Sequence, residues 1–292
     1  MNTEIYNDFC IFILTHKRAN NVITYKTLMD AKCTYPIFFV LDNEDTQIQD
    51  YCSNFGKDKV VVFDKKSFAD KTDEGDNFDN RATITHARNA CFDIAKKLGY
   101  KYFIQLDDDY TDFRFRFNSK IEYIEKKVKI KNIDNVLSIL LTFYKNTPFT
   151  TIAFAQGGDF IGGGKGTMGK KIYIKRKAMN SFFCCTDRPF KFVGRLNEDV
   201  NTYVSLGSVG KLFGTINFVC LEQKQTQSQK GGISETYLNA SAHFKPFYTV
   251  MYAPSCVKIS LMGNTKETSR LHHKINWKNA VPKIISESYR KQ

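Results

Sequence analysis

The sequence lacks several features that would assign a protein class at once. None of its eight cysteines stands in a Cys-x-x-Cys pair, which argues against a zinc site or a disulfide scaffold and for reduced, buried thiols. No apolar run is long enough to span a bilayer, and no basic segment followed by an apolar core opens the chain. We therefore expect a cytoplasmic protein without a membrane partner. Internal repeats and heptads are also missing.

A nucleoside-triphosphate P-loop is missing as well, although the stretch 156–169 is rich in glycine. Asp159 stands where such a loop opens with glycine, and Lys165 is followed by Gly166 rather than by Ser or Thr. A loop of this composition either lets a bulky substrate approach the backbone or moves during turnover.

Acidic residues are in the minority. The chain carries 43 Lys and Arg against 30 Asp and Glu, which gives a formal net charge of +13. Such a charge is typical of proteins whose partner is a polyanion, for example nucleic acid or a nucleotide phosphate, and it also fits a merely soluble basic protein. The apolar fraction of 42% is sufficient for a large core.

Short apolar runs alternate with helix-like segments in the first part of the chain. Runs that are apolar on both faces indicate parallel strands buried between helices, so the sequence predicts an α/β fold. A helix is expected over Arg81–Lys97 and should end at Gly99, whereas Asp64–Asn80 shows no hydrophobic period and is predicted to be a loop. The predicted strands of this part are Phe9–Leu14, Pro36–Leu41, Lys59–Phe63 and Tyr102–Leu106.

Further strands and a helix are predicted in the second part. Phe113–Phe117 alternates strictly between Phe and Arg, which predicts a half-buried strand at the edge of the sheet. The lysine-rich stretch 120–131 is expected to supply basic surface. The remaining predicted elements are a helix at Ile133–Tyr144 and strands at Thr151–Ala155, Ser181–Cys185 and Gly214–Leu221.

Polar residues follow three of the predicted strands, at the sheet edge where open α/β sheets bind their ligands. They are Thr15–Arg18, Asp42–Asp45 and Asp107–Asp109. Three adjacent carboxylates repel one another and are tolerated when they are solvated or neutralised by a cation. A hard divalent ion with oxygen ligands is the natural candidate, and an ordinary acidic turn is the alternative.

Two further segments carry candidate site residues. Arg88, on the predicted helix before the aspartates, could reach a diphosphate, orient the aspartates or be an ordinary exposed charge. Downstream, Asn197 is expected to cap a helix whose first turn contains Glu198 and Asp199, where the helix dipole favours ionised carboxylates. Stabilisation of the helix end is sufficient to explain why one carboxylate is present there. The second carboxylate is what a general base for an incoming hydroxyl would require.

This set of residues resembles the GT-A fold of nucleotide-sugar glycosyltransferases. The likeness rests on Leu106–Asp109 as an Asp-x-Asp motif, on Ala87–Asn89 and on Asn197–Asp199. Longer runs resemble the TET-associated glycosyltransferases encoded by bacteriophages. Those runs are Leu14–Arg18, Asn21–Thr27, Asp73–Phe78 and Tyr248–Cys256.

The resemblance implies a Rossmann-type central mixed sheet flanked by helices. We expect a glycosyltransferase domain over residues 1–254, with a nucleotide-binding half (1–110) and an acceptor half (111–254). A basic C-terminal extension, 255–292, is expected to pack on the same domain.

That family is thought to transfer sugars from nucleotide-sugars, here a UDP-sugar, to hydroxymethylated pyrimidines in phage DNA within the host cytoplasm. The resemblance implies Mn²⁺ or Mg²⁺ held by Asp107 and Asp109, with His243 as a further ligand, and Asp199 or Glu198 as the catalytic base. Alternatives are the same hexosyl or pentosyl transfer to a saccharide or protein, or a non-catalytic nucleic-acid-binding module. The residues implied in nucleotide-sugar binding are Thr15, His16, Arg18, Asp42, Arg88, Asp107 and Asp108.

Overall fold

The computed structural model describes residues 6–78, 80–160, 163–165, 174–175, 177–223, 244–263 and 269–283. These residues form a large mixed sheet, helices packed against it and a separate hairpin. The strands are β1 Phe9–Leu14, β2 Ile37–Asp42, β3 Val60–Phe63, β4 Tyr102–Asp107, β5 Tyr110–Phe117, β6 Tyr123–Lys129, β7 Thr151–Gln156, β8 Ser181–Cys185, β9 Phe213–Gln223, β10 Val257–Met262 and β11 Arg270–Ile275. The α-helices are α1 Ile23–Asp30, α2 Ile48–Phe55, α3 Lys65–Ala69, α4 Thr85–Leu98, α5 Ile133–Lys145, α6 Glu198–Ser208 and α7 Lys245–Tyr252.

The N-terminal half of the sheet is parallel, in the order β3-β2-β1-β4. All six residues of β1 are buried, because alternate side chains enter two different cores. Phe9, Ile11 and Ile13 pack on one face of the sheet, and the residues between them pack on the other. The predicted buried parallel sheet is confirmed.

The C-terminal half makes the sheet mixed. β8 pairs antiparallel with both β4 and β7, β7 and β9 are parallel, and β5 lies antiparallel between β9 and β6. The prediction that Phe113–Phe117 forms the sheet edge is wrong, because the lysine-rich strand β6 covers it and Phe115 pairs with Val128. Alternation within a strand determines which of its faces is buried, but not whether a further strand pairs with it.

Two element boundaries differ from the prediction for local reasons. Helix α4 begins at Thr85 rather than Arg81, because the side chains of Asn80 and Thr83 accept hydrogen bonds from backbone N–H groups two residues ahead. The predicted loop contains the short helix α3, whose first turn is capped by Asp64 through a 3.2 Å hydrogen bond from the Ser67 N–H. The predicted helix end at Gly99 is confirmed, since this residue adopts a left-handed conformation with φ of 81°.

The C-terminal part packs against helix α6. Helix α7 contacts α6 and the hairpin β10–β11, and Trp277 stacks on Tyr203 of α6 with ring centroids 5.7 Å apart. The carbonyl of Ala280 approaches Gly207 so closely that a side chain there would clash with it. These contacts attach the chain beyond residue 254 to helix α6, while the domain boundaries stay a prediction.

The cysteines behave as the sequence predicts. All eight are free thiols, and all are buried apart from the partly exposed Cys52. Among the helices of the described residues, none combines the length and the apolar character that crossing a membrane requires.

Candidate active site

The carboxyl ends of β1, β2 and β4 border a cleft of about 1070 Å³. Ten of the eleven predicted site residues line this cleft, and the eleventh, His243, lies outside the described residues. Residues that are far apart in the chain therefore meet at one place. The ten are Thr15, His16, Arg18, Asp42, Arg88, Asp107, Asp108, Asp109, Glu198 and Asp199.

The three adjacent aspartates differ in what they contact. Asp108 is only 3% exposed, and its two carboxylate oxygens accept hydrogen bonds of 2.7 Å from the Thr15 hydroxyl and the Arg18 guanidinium. Asp107 and Asp109 are half-buried and lie at the cleft. Asp108 therefore orders the turn after β1.

Tyr51 of helix α2 completes that turn and was missed by sequence reasoning. Its hydroxyl accepts a 2.9 Å hydrogen bond from the Arg18 N–H and lies 2.8 Å from the Thr15 hydroxyl. The ring is fully buried, so the sequence pattern does not distinguish Tyr51 from an apolar residue on the buried face of an amphipathic helix. No local signal marks its polar end as part of the site.

Arg88 connects the two groups of carboxylates. It is 1% exposed, and its Nη2 donates to Asp107 and its Nε to Glu198, both at 3.0 Å. The guanidinium also lies over the ring of Phe182, 5.1 Å from its centroid. Of the three roles considered for Arg88, orientation of the aspartates is the one that its contacts support.

The carboxylates around Arg88 perturb one another. Burial raises the pKa of Asp107 to about 7; Arg88 opposes this rise, while the charges of Asp109 and Glu198 add to it. Burial and the charge of Glu198 raise the pKa of Asp199 to about 6, against the opposing charge of Lys245. A bound cation would relieve this excess of negative charge at the cleft.

The carboxylates of Asp107 and Asp109 at the cleft suit a magnesium or manganese ion that takes only part of its ligands from the protein. No cluster of three or more potential metal ligands is found among the described residues. Asp107 and Asp109 would supply one or two carboxylate ligands, and Mg²⁺ commonly completes its coordination with substrate phosphates and water.

The start of helix α6 is built differently from the sequence prediction. Asn197 occupies the cap position with a left-handed backbone, φ 57°, but its side chain does not cap the helix, so this prediction is wrong. The amide instead donates hydrogen bonds to the Lys245 carbonyl, at 2.8 Å, and to the Thr249 hydroxyl, at 3.2 Å. Asn197 thereby ties α6 to α7, and Glu198 and Asp199 lie in the first turn of α6 as expected.

A second polar cluster lies beyond β2. His16 Nδ1 is 2.9 Å and Lys65 Nζ is 3.5 Å from the buried Asp42 carboxylate. Burial alone would raise the pKa of Asp42, but the hydrogen bond from His16 and the charge of Lys65 bring it below its usual value. Asp42 therefore stays ionised and can accept hydrogen bonds from a ligand.

Arg195 organises the acidic loop before α4 and was also missed. It is 2% exposed, its Nε lies 2.9 Å from Asp76 Oδ2, and its Nη2 donates to Glu74. Tyr248 of α7 donates to the same Asp76 carboxylate at 2.5 Å. The predicted loop is therefore held by protein contacts, and Arg195 lies too far along the chain for any local pattern to indicate the pairing.

The sequence matches the family described as TET-Associated Glycosyltransferase over residues 9–232, well over half of the chain. The chain belongs to this family. The predicted family and the predicted glycosyltransferase activity are confirmed. Among curated proteins, none matches this family member in sequence.

Solved structures of similar shape include two of glucosyl-3-phosphoglycerate synthase from Mycobacterium tuberculosis. One contains Mg²⁺ and UDP; it is 7% identical and covers 91% of this chain and 87% of its own, with a TM-score of 0.47. The other contains Mn²⁺, UDP and phosphoglyceric acid, with 7% identity, 91% and 86% coverage and a TM-score of 0.47. A protein from Desulfovibrio desulfuricans G20 described as a nucleotide-diphospho-sugar transferase is 8% identical, with 86% and 95% coverage and a TM-score of 0.41.

Proposed function

We propose that this TET-associated glycosyltransferase has a GT-A-like active site and transfers a sugar from a UDP-sugar to the hydroxyl of a 5-hydroxymethylpyrimidine in DNA. The observation that carries the proposal is the convergence of two carboxylate groups on one cleft. Asp107 and Asp109 come from the end of β4, Glu198 and Asp199 come from α6, and Arg88 joins the two groups. Donor activation and proton removal from an acceptor require groups of these two kinds.

The nucleoside of the donor would bind beyond β1 and β2. In open α/β sheets this crevice is the usual place for a nucleotide. Thr15 and Arg18 are held there by Asp108 and Tyr51, and Asp42 is held by His16 and Lys65. These contacts fix the side chains before a ligand arrives, which lowers the entropy cost of binding.

Asp107 and Asp109 would hold Mn²⁺ or Mg²⁺ beside the donor diphosphate. His243, outside the described residues, is a further candidate ligand. The bound cation would stabilise the negative charge of the leaving nucleotide. Arg88 fixes the Asp107 carboxylate through its Oδ1 atom, so that the carboxylate is oriented before the cation binds.

Asp199 is the better candidate for the base. One oxygen of each carboxylate is engaged, that of Glu198 by Arg88 and that of Asp199 by the Val200 N–H at 2.7 Å, but the pKa of Asp199, raised by burial to about 6, is close to that of an efficient general base. In the reaction the acceptor oxygen bonds to the anomeric carbon, the bond from that carbon to the diphosphate breaks, and the hydroxyl proton moves to Asp199.

The net charge of +13 suits an acceptor that carries phosphates. A base paired within a duplex cannot reach the carboxylates inside a cleft, so it would have to be extruded or presented on a single strand. A phage origin, which the family likeness suggests, would place the reaction in the host cytoplasm.

The test combines the purified protein, a panel of UDP-sugars, Mn²⁺ and DNA that contains hydroxymethylcytosine. We expect a mass increase of one sugar per modified base, which Asp109→Ala and removal of the metal by a chelator both abolish. The exposed Lys66→Ala, which does not line the cleft, serves as the control. DNA that stays unmodified with every donor would contradict the acceptor, and salt-insensitive transfer to an oligosaccharide would support a saccharide acceptor instead.

A further inference from the structure

A part of the cleft lining carries positive charge and comes largely from outside the family match. The match ends at residue 232, whereas Lys245 opens helix α7 and Arg270 opens strand β11. Both residues line the cleft, together with Lys177 and the imidazoles of His272 and His273. The C-terminal segment therefore contributes side chains to the active site and does not only pack against it.

The positive charges of this lining all act on one side chain, the imidazole of His272. The rings of His272 and His273 lie 4.3 Å apart, and the pKa of His272 is lowered by burial and by the charges of Lys177, Arg270 and Lys245. Three cations therefore act on one imidazole, which makes this part of the cleft electrostatically favourable for an anion.

One member of this cationic cluster, Lys245, adjoins the proposed base, because its backbone carbonyl accepts a 2.8 Å hydrogen bond from Asn197, two residues before Asp199. The charges that act most strongly on Asp107 are those of Arg88, Asp109 and Glu198, whereas Lys245 is among those that act on Asp199. An anion bound at the cluster would therefore lie next to the reacting acceptor hydroxyl.

A buried imidazole nitrogen gives independent support for a ligand. His273 is 7% exposed and lines the cleft, and its Nε2 has no hydrogen-bond partner among the described residues. A buried polar atom without a partner is costly, so such atoms are normally satisfied by a ligand or water. Phosphate oxygens would accept from this nitrogen and from the neighbouring cations.

We propose that Lys177, Lys245 and Arg270 form a phosphate-binding subsite that holds the acceptor with its hydroxyl at Asp199. This inference rests on the proposed function and specifies its acceptor as a phosphorylated nucleotide unit. The phosphate comes either from the backbone of a DNA strand or from a free nucleoside monophosphate, since both present the same oxygens.

The first experiment measures binding without requiring catalysis. A fluorescent single-stranded oligonucleotide containing hydroxymethylcytosine is titrated with wild-type protein, Arg270→Gln and the control Lys274→Gln, at several salt concentrations. Both residues are exposed on β11 and both changes remove one charge, but Lys274 does not line the cleft. We expect about tenfold weaker binding and a salt slope lower by about 1 for Arg270→Gln only.

The second experiment measures transfer with three acceptors: the oligonucleotide, 5-hydroxymethyldeoxycytidine monophosphate and its nucleoside. Arg270→Gln and Lys177→Gln should raise KM for the phosphorylated acceptors about tenfold and leave KM for the nucleoside and the UDP-sugar unchanged. An effect on the oligonucleotide alone assigns the subsite to a backbone phosphate, whereas an effect on the mononucleotide as well assigns it to a single phosphate.

Failure of this inference differs from failure of the proposed function. Equal behaviour of Arg270→Gln and Lys274→Gln, or a rise confined to the KM of the UDP-sugar, would overturn the subsite while transfer to DNA still occurs. If wild-type protein transfers sugar to none of the three acceptors, the proposed acceptor is wrong, and the binding comparison still decides whether the phosphate subsite exists.

Discussion

The two sides of the cleft, which we propose bind the sugar donor and the acceptor, are built by different means. The donor side consists of residues that directly follow neighbouring parallel strands, and its polar atoms bond to one another, as in the contacts of Thr15 and Arg18 with Asp108. The acceptor side combines the start of helix α6, the start of α7 and one strand of a hairpin, which meet through tertiary contacts. The donor side is therefore set up by the sheet itself, whereas the acceptor side depends on how separate elements pack.

Arg88 is the point where the two sides meet. Its guanidinium contacts Asp107 of the donor side and Glu198 of the acceptor side, and it is almost fully buried. Changes on either side of Arg88 should therefore separate into effects on donor binding, on proton transfer and on folding.

The largest expected effect is on catalysis. Asp199→Asn keeps the shape of the side chain but cannot accept the hydroxyl proton, so we expect kcat to fall by about 10²–10⁴ with the KM for UDP-sugar unchanged. Asp42→Asn is the matched change on the donor side and should raise that KM with a smaller effect on kcat. Steady-state kinetics with both substrates varied measures kcat and KM for each variant. If both variants change kcat and KM to the same extent, the two sides of the cleft do not have separate roles.

The next effect is on stability. Arg88→Met leaves the half-buried Asp107 and the buried Glu198 without their partner, and breaking a buried ion pair on one side costs about 3–5 kcal/mol. Lys66→Met, which breaks the exposed pair with Asp70, should cost less than about 1 kcal/mol. Denaturant titrations of both variants measure the free energy of unfolding, and a similar loss in both would contradict the connecting role of Arg88.

A smaller effect is expected within the donor side. Tyr51→Phe removes a hydroxyl that the Arg18 N–H and the Thr15 hydroxyl contact, and we expect a loss of about 1–3 kcal/mol in the free energy of unfolding. The control is Tyr25→Phe, whose ring packs on Phe39 and Phe55 but for whose hydroxyl no bond is found among the described residues. KM for UDP-sugar should rise in the first variant only, because only that variant loosens the turn after β1.

The smallest expected effect is the pH dependence of the acceptor side. The pKa of Asp199 is raised to about 6 by burial and by Glu198, and only the ionised carboxylate accepts a proton. Activity at saturating Mn²⁺ should therefore be constant above this value and fall about tenfold per pH unit below it. The residual activity of Asp199→Asn should not show this fall at low pH. If it does, the group that titrates is not Asp199.

The sequence by itself determined the elements whose signal is local. Apolar runs specified the strands, Gly99 the end of α4, and the position of Asp107–Asp109 after a strand placed these carboxylates at the ligand-binding edge. Such features follow from side-chain period and backbone preference, which act over a few residues. The family likeness added residues to the predicted site, but not their contacts.

Only the tertiary structure decided which of these residues meet and what each contacts. Arg88 pairs with Glu198, 110 residues away, and Arg195 pairs with Asp76, 119 residues away. In the same way, β6 covers the predicted sheet edge and Arg270 reaches the cleft. Contacts between distant segments depend on how whole elements pack, and a buried charge does not differ from an exposed one in any local pattern of the sequence.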